Sequence, residues 1–478
     1  MPVAATPLVV GIDSSTQSVK VEARRLDTGE VVASGTARHP ATTPPVSEQD
    51  PRAWWDALVA ATHALGDARR DVVAVSVAGQ QHGCVLLDDE GDPVRPAKLW
   101  NDTTSAPQAA ELTERFGATG WAERVGSVPV ASLTITKLAW IAEHEPTALA
   151  RATRVMLPHD YLTWRLTGEH VTDRGDASGT GWFDPATDAV DDELLRAAVG
   201  DWTGALPTVL GPTDRAGTLT AGAADALGLP VGAVVAPGSG DNMGAAMGLG
   251  LRTGDVAVSL GTSGVVFAVS STPTHDPTGA VAGFASATGS FLPLVCTLNA
   301  TKVTDTVARW LGTDAPGLGA LALAAVDDPG DAIVVPYFDG ERTPNLPDAT
   351  GTFHGLTNAT SREQLALAAH DGVLCGVLHG VEAITAVGAS LDGRVFLVGG
   401  GARSAAYRQR CADLLGRAIV VPTADETVAT GAAAQAAAIV AGDRVDDVAV
   451  RWGLGAGVEV EPAVDATDRR SWYAAVSG

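Results

Sequence analysis

Short, nearly continuous apolar runs alternate along the chain with longer segments whose apolar residues recur every three or four positions. Leu8-Val9-Val10-Gly11-Ile12 reads as a first strand, Val72 to Val77 as a second, and Val395 to Val398 as a late one. Between such runs lie amphipathic patterns. In Pro51 to Leu65 an Asp50 N-cap and a proline at the first helical position precede Trp54, Leu58 and Ala61 on one face. Ala405 to Leu415 gives another helix directly after the strand Val395 to Val398. Strands alternating with helices in this way predict an α/β fold.

The same pattern carries a candidate internal duplication. Leu8 to Asp13 leads through Ser14-Ser15-Thr16-Gln17-Ser18 into Val19-Lys20-Val21, and beyond the middle of the chain Val256 to Leu260 leads through Gly261-Thr262-Ser263-Gly264 into Val265-Val266-Phe267. Both segments read as β-hairpins with Ser/Thr tips. Two similar domains, each opening with such a hairpin, account for the pair; two unrelated hairpins remain the alternative.

Composition bounds this picture. With 478 residues, of which 46% are hydrophobic and 18% charged, the chain has room for two or three cores of about 150 residues each. The 54 glycines point to many tight turns and close helix packing. A net charge of −24 repels a phosphate backbone, so nucleic acid is not an expected partner. An anionic ligand then has to be held by local backbone N–H groups, a bound cation or a few arginines. Cys84, Cys296, Cys375 and Cys411 form no CxxC pair and fit reduced thiols in the cytoplasm. The N-terminus has no basic stretch before its apolar run, and the best candidate for a membrane-length run, Thr430 to Gly442, is Ala-rich and interrupted by Gln435, so no membrane segment is expected.

Several catalytic signatures are missing. None of the four lysines follows a glycine as a Walker A loop requires, and no G-x-S-x-G, H-E-x-x-H or strand-following G-x-G-x-x-G is present. What remains is a set of glycine-flanked loops at predicted strand ends. N–H groups and hydroxyls in the two hairpin tips suit a nucleotide's phosphates, and Asp13 either faces a Mg²⁺ ion in front of them or caps the turn. In Gly238-Ser239-Gly240-Asp241-Asn242 the carboxylate of Asp241 either accepts a proton from a substrate hydroxyl or caps the next helix. Gln81 and His82 of Gly79-Gln80-Gln81-His82-Gly83 offer hydrogen bonds suited to a polyol, while a loop histidine can equally be structural. Gly399-Gly400-Gly401-Ala402 lets a flat ring approach the backbone without Cβ interference.

Taken in order, these segments resemble the FGGY carbohydrate kinases, within the actin/hexokinase/Hsp70-like superfamily, and most of all the bacterial xylulokinases. The likeness runs over nearly the whole chain. It rests on both hairpins, Ser47-Glu48-Gln49-Asp50-Pro51, Gly79 to Gly83, Leu99-Trp100-Asn101-Asp102, Thr136-Lys137-Leu138-Ala139-Trp140, and Leu157 to Leu162 with Asp176-Ala177-Ser178-Gly179-Thr180. It continues through Gly240-Asp241-Asn242, Gly340-Glu341-Arg342-Thr343-Pro344 and Gly399 to Arg403. The resemblance implies two RNase H-like α/β domains, residues 1–248 with the sugar pocket and 249–478 with the adenosine site, and a nucleotide cleft between them. It implies ATP-dependent phosphorylation of D-xylulose with Asp241 as the base, with Asp13 and Asp241 near Mg²⁺. It places Gln81, His82, Trp100, Asn101, Asp241 and Asn242 at the sugar. It places Asp13, Ser15, Thr16, Gly261, Thr262, Ser263, Gly400, Gly401, Ala402 and Ser404 at the nucleotide.

This chain departs from the pattern at Gln81, where a methionine is usual, at Ser14-Ser15, at Thr104 in place of a frequent arginine, and at His370. Gln81 and Thr104 bear on which sugar is preferred, so another polyol such as ribulose, gluconate or glycerol is the alternative substrate. A non-transferring ATPase of the same superfamily is the alternative of a different class. Homodimerisation is the default expectation for assembly. The small-residue stretches Gly244 to Gly248 and Gly431 to Ala438 are expected hinge elements for closure on sugar and nucleotide, or else sites of close helix packing alone.

Overall fold

Leu8–Ser14 is buried along its whole length because it is paired on both sides. In the computed structural model, which describes residues 7–477, it runs antiparallel to Ser18–Arg25 and parallel to Val72–Gly79. Val31–Arg38 extends the sheet beyond Ser18–Arg25, and Val234–Val235 adds in parallel beyond Val72–Gly79. The second sheet repeats this order and these directions. Val256–Leu260 runs antiparallel to Gly264–Ala268, which pairs antiparallel with Phe291–Thr297, while on its other side come Val395–Val398 and then Ile419–Pro422, both parallel. Each sheet has seven strands, and the shared topology makes the two hairpins the opening of a duplicated unit.

Strand periodicity decides what covers each face. In the first sheet Leu8, Val10 and Ile12 join an apolar cluster with Trp54, Leu58 and Ala61 of helix Pro51–His63. Val9 and Ala74, pointing the other way, share a cluster with Ala433, Ala434 and Ala437. Those alanines belong to helix Val428–Ala441, which comes from the far end of the chain and packs on Leu8–Ser14 and Val72–Gly79. In the second sheet Val256, Val258 and Leu260 pack with Leu374, Val377 and Leu378 of helix Arg362–Ala386, whereas Ala257, Phe267 and Phe396 join the central cluster with Met243 and Met247 of helix Asp241–Gly248.

Helices Asp241–Gly248 and Val428–Ala441 therefore form the middle of the molecule, and they touch backbone to backbone. A Cβ on Gly431 would lie 1.9 Å from the Gly244 carbonyl oxygen, and one on Gly248 would lie 1.9 Å from that of Thr427. The expected boundary after residue 248 falls at the end of the first of these helices, yet the second, although C-terminal, covers the N-terminal sheet.

The longest apolar helix is not at Thr430 to Gly442. Arg362–Ala386, 25 residues long, has the length and hydropathy of a membrane span, with 72% of its apolar window buried in the protein. It starts at a Ser361/Gln364 capping box, and it carries Asp371, whose carboxylate is held by Arg410 at 2.8 Å and Arg469 at 2.5 Å. Such paired charges fit a core helix better than a lipid-facing one.

Candidate active site

The glycine loop 238–240 delivers Asp241 at the edge of the first sheet. Ser239–Gly240 pairs in parallel with Ala78 and Gly79, and the helix begins at once, with Gly240 as its N-cap. Asp241 is thus the first helical residue, and its side chain does not cap the helix. Its Oδ1 accepts hydrogen bonds from Asn242 N at 2.8 Å and Asn242 Nδ2 at 3.1 Å, and the same Nδ2 donates to Gln81 Oε1 at 2.6 Å. Burial, reinforced by the charge of Asp176, pushes the Asp241 carboxyl up to about 7. It therefore sits near the pKa at which a carboxylate is an effective base at neutral pH.

Gln81 and His82 leave the end of strand Val72–Gly79. His82 adopts a left-handed backbone, φ +62°, uncommon for a residue with a side chain and typical of functional turns. Its ring fills the space over Gly179, where a Cβ would come within 1.8 Å of it. Asp176 Oδ1 lies 3.2 Å from His82 Nδ1 and accepts from the His82 backbone N–H at 3.2 Å. Burial, with Lys137 and Arg342 adding to it, lowers the imidazole to about 3, so the ring is neutral and offers one donor and one acceptor.

Two cavities meet at this point. One, of about 290 Å³, is lined by Gln81, His82, Trp100, Phe284 and Arg342 among others. The other, of about 450 Å³, is lined by Asp13, Ser15, Gly399, Gly400, Ala402 and Glu426 among others. Asp241 and Asn242 line both.

In the larger cavity Asp13 Oδ1 is buried without a hydrogen-bond partner. Burial, then the charges of Glu426 and Asp241, push the Asp13 carboxyl up to about 8; Lys20, 4.0 Å away, counters this only in part because it is held by Glu426 at 2.7 Å. An orphaned carboxylate oxygen in a cavity that Glu426 and Asp241 also line suits a hard divalent cation such as Mg²⁺, which takes oxygen ligands. Among the described residues no group of three or more His, Cys, Asp or Glu side chains is placed to hold a metal ion by itself. Water and phosphate oxygens would fill the rest of the shell, as is usual for Mg²⁺.

The remaining expected residues divide. Ser263 lines the smaller cavity, and Gly261 and Thr262 sit with it at the hairpin tip, their carbonyls accepting from Thr301 N and Ala300 N. Thr16 Oγ1 donates to Gln80 Oε1 and accepts from Trp100 Nε1, both at 3.0 Å, so it ties the first hairpin to the rim of the smaller cavity. Gly401 is buried against Leu260 and Ser404 caps helix Ala405–Leu415; neither lines either of the two cavities, nor does Asn101. Thr104 accepts from Lys98 at 2.8 Å within a cluster with Asp102, away from the smaller cavity.

Glu426, Lys20 and the group behind His82 were not singled out for this chemistry from the sequence. In that group His159 Nε2 lies 3.2 Å from both Asp160 and Asp173 and 3.6 Å from Asp176. Burial opposes charge on His159, but the three carboxylates overcome it and raise the imidazole to about 9.

Residues 8–248 match the sequence profile of the FGGY family of carbohydrate kinases, N-terminal domain, and residues 256–440 match its C-terminal domain. The chain belongs to the FGGY family of carbohydrate kinases. Within this family it is 50% identical over 472 residues to a xylulose kinase of Streptomyces coelicolor, covering 98% of this chain and 95% of that one. A xylulose kinase of Streptomyces rubiginosus is 49% identical over 473 residues, with the same coverage. The crystal structure of xylulose kinase from Bifidobacterium adolescentis superposes with a TM-score of 0.89 at 41% identity, covering 99% of this chain and all of that one. Membership makes this chain a carbohydrate kinase, and the paired sheets with a cleft are the fold of that family.

Proposed function

We propose that the chain transfers the γ-phosphoryl group of ATP to the terminal 5-hydroxyl of D-xylulose, giving D-xylulose 5-phosphate and ADP. One observation carries this reading: Asp241 and Asn242 line both cavities, so a base stands where an acceptor in one and a triphosphate in the other can meet. The 290 Å³ cavity suits a five-carbon polyol, with Gln81, neutral His82 and Asn242 as its hydrogen-bonding groups. The xylulose kinases that resemble the chain over nearly their whole length support the choice of sugar.

In this mechanism Asn242 orients the Asp241 carboxylate through two hydrogen bonds, and Asp241 takes the proton of the attacking hydroxyl. The sugar oxygen bonds to the γ-phosphorus as the bond to the β-phosphate oxygen breaks, and ADP leaves with that electron pair. Ser15 N and Gly261 N close the two tips by donating to Ser18 O and Ser263 O, leaving the N–H groups of Thr16, Thr262 and Ser263 as donors for the phosphates, and Gly399, Gly400 and Ala402 give the adenosine a wall with little side-chain bulk. Asp13 and Asp241 would hold Mg²⁺, which neutralises phosphate charge when bound. We assign residues 1–248 to the sugar half and 249–478 to the adenosine half, with helix Val428–Ala441 returning to brace the former. The four unpaired cysteines are consistent with a reducing compartment, which supports the cytoplasm in this reading.

A panel of D-xylulose, L- and D-ribulose, gluconate and glycerol in a coupled ADP-release assay tests the substrate. D-Xylulose should give the highest kcat/KM; a tenfold preference for another acceptor would overturn the sugar, and equal ATP turnover without any acceptor would overturn transfer itself.

A further inference from the structure

The loop Gly340-Glu341-Arg342 brings a guanidinium into the wall of the smaller cavity, where Arg342 is the one lysine or arginine among the described lining residues. The loop is pinned at its acidic residue. Glu341 Oε1 accepts from Leu298 N at 2.6 Å and from Arg342 N at 2.8 Å, while its Oε2 accepts from Asn299 Nδ2 at 3.0 Å. Asn299 Nδ2 also donates to the Gly340 carbonyl at 2.6 Å. The carboxylate next in sequence is thereby committed to other donors. Among the described residues no carboxylate lies within 4.0 Å of the Arg342 guanidinium. Arg95, Arg174, Arg394 and Arg410, by contrast, are each matched to an acid.

A neutral ketose offers this cation no charge to balance. A half-buried guanidinium without a counter-ion is costly, and its planar fork of donors fits two oxygens of one anion. The anion that enters this cavity during turnover is the phosphoryl group itself. Arg342 shares the cavity wall with Asp241, where the bond to the sugar forms, and with Ser263 of the second hairpin tip. We propose, resting on the transfer reaction above, that Arg342 donates to the non-bridging oxygens of the phosphoryl group as it crosses to the sugar and then holds the phosphate of the product. The atoms balance as already written: Asp241 takes the hydroxyl proton, ADP leaves with the electron pair, and Arg342 stays protonated throughout, acting only on the charge that moves into the cavity.

The test compares sugar and sugar-phosphate binding in full-length wild type, Arg342→Met and Arg342→Lys. Affinities are read as competitive inhibition by the phosphorylated product and by calorimetric titration of the unphosphorylated sugar. Arg342→Met should weaken product binding by about tenfold or more and lower kcat by about 10²–10³-fold, while sugar affinity and the KM for ATP stay within about threefold. Arg342→Lys, which keeps the charge and loses the fork, should fall between the two. Unchanged product affinity in Arg342→Met would overturn the proposal, as would equal weakening of sugar and product, which would make Arg342 a sugar ligand. If the methionine variant does not fold, unchanged product affinity in Arg342→Lys and Arg342→Gln would overturn it equally. The wild type is run first with the panel, and its preferred sugar and that sugar's phosphate are the ligands used. An error in the substrate therefore appears in the wild type, and an error about Arg342 only in the variants.

Discussion

Asp241, the proposed base, is held from its own neighbour: Asn242 donates to it twice and also to Gln81 Oε1, so one amide links the carboxylate to Gln81. Asp241→Asn keeps the shape and removes the base. It should lower kcat by about 10²–10⁴-fold with ATP binding retained, measured by coupled assay and nucleotide titration; more than a tenth of wild-type kcat would dismiss the role. Asp13 invites a different test, on stability. Its folded-state value of about 8 lies above the unfolded one, so the contribution of its protonated form is complete below about pH 4 and is lost as pH rises through about 8. Metal-free Asp13→Asn lacks that loss, so its Tm should gain on wild type by about 2–4 °C between pH 5 and pH 8.5, and added Mg²⁺ should raise the wild-type Tm and close the gap. A difference independent of pH would mean that Asp13 is not strained by its neighbours.

Asp13, Gln81, His82 and Asp241 were legible as residues because each stands on a short polar loop at the end of an apolar run, where local pattern and position agree. Asp176, His159 and Glu426 carry no such mark. Their importance comes from partners far away in sequence, as in Asp176 beneath His82, and an acid inside a helix start or a loop looks solvated until the fold buries it.

At the scale of elements the same distinction holds. Helix Ala405–Leu415 and strand Val395–Val398 match their patterns to the residue, since capping by Ser404 and a short continuous apolar run are local signals. Helix Val428–Ala441 could not be placed from its sequence. Eleven of its residues are buried, so this alanine-rich helix has no polar side to indicate which sheet it serves. Its close contact with Asp241–Gly248 depends on Gly431, whose missing Cβ lets the facing backbone come near. Gly431→Ala should destabilise the protein by about 1–3 kcal/mol in thermal or urea melts, because the atoms in its way are backbone and cannot rotate aside. Gly222→Ala, in helix Ala221–Leu227 with nothing within 4 Å of the added Cβ, is the control and should be neutral or stabilising. Equal stability of both variants would remove the case for a tight inter-helix contact.

For the whole molecule, duplication has a mechanical consequence. Each sheet brings its hairpin tip to a different cavity: Ser15 lines the larger and Ser263 the smaller. The halves are joined most intimately by the two glycine-bearing helices, and Asp241 begins one of them. Small residues at such a contact permit sliding as well as tight packing, so rotation of the halves is expected to bring both tips onto the phosphates only when sugar and nucleotide are present together. Exclusion of water would follow, which matters because water competes with the sugar hydroxyl for the phosphoryl group. Small-angle scattering should give a smaller radius of gyration for the protein with sugar and a non-hydrolysable ATP analogue than for the free protein, and ATP hydrolysis without sugar should be slow relative to transfer. Superimposable curves, together with hydrolysis as fast as transfer, would refute closure and leave the glycines at 244, 248 and 431 as packing devices alone.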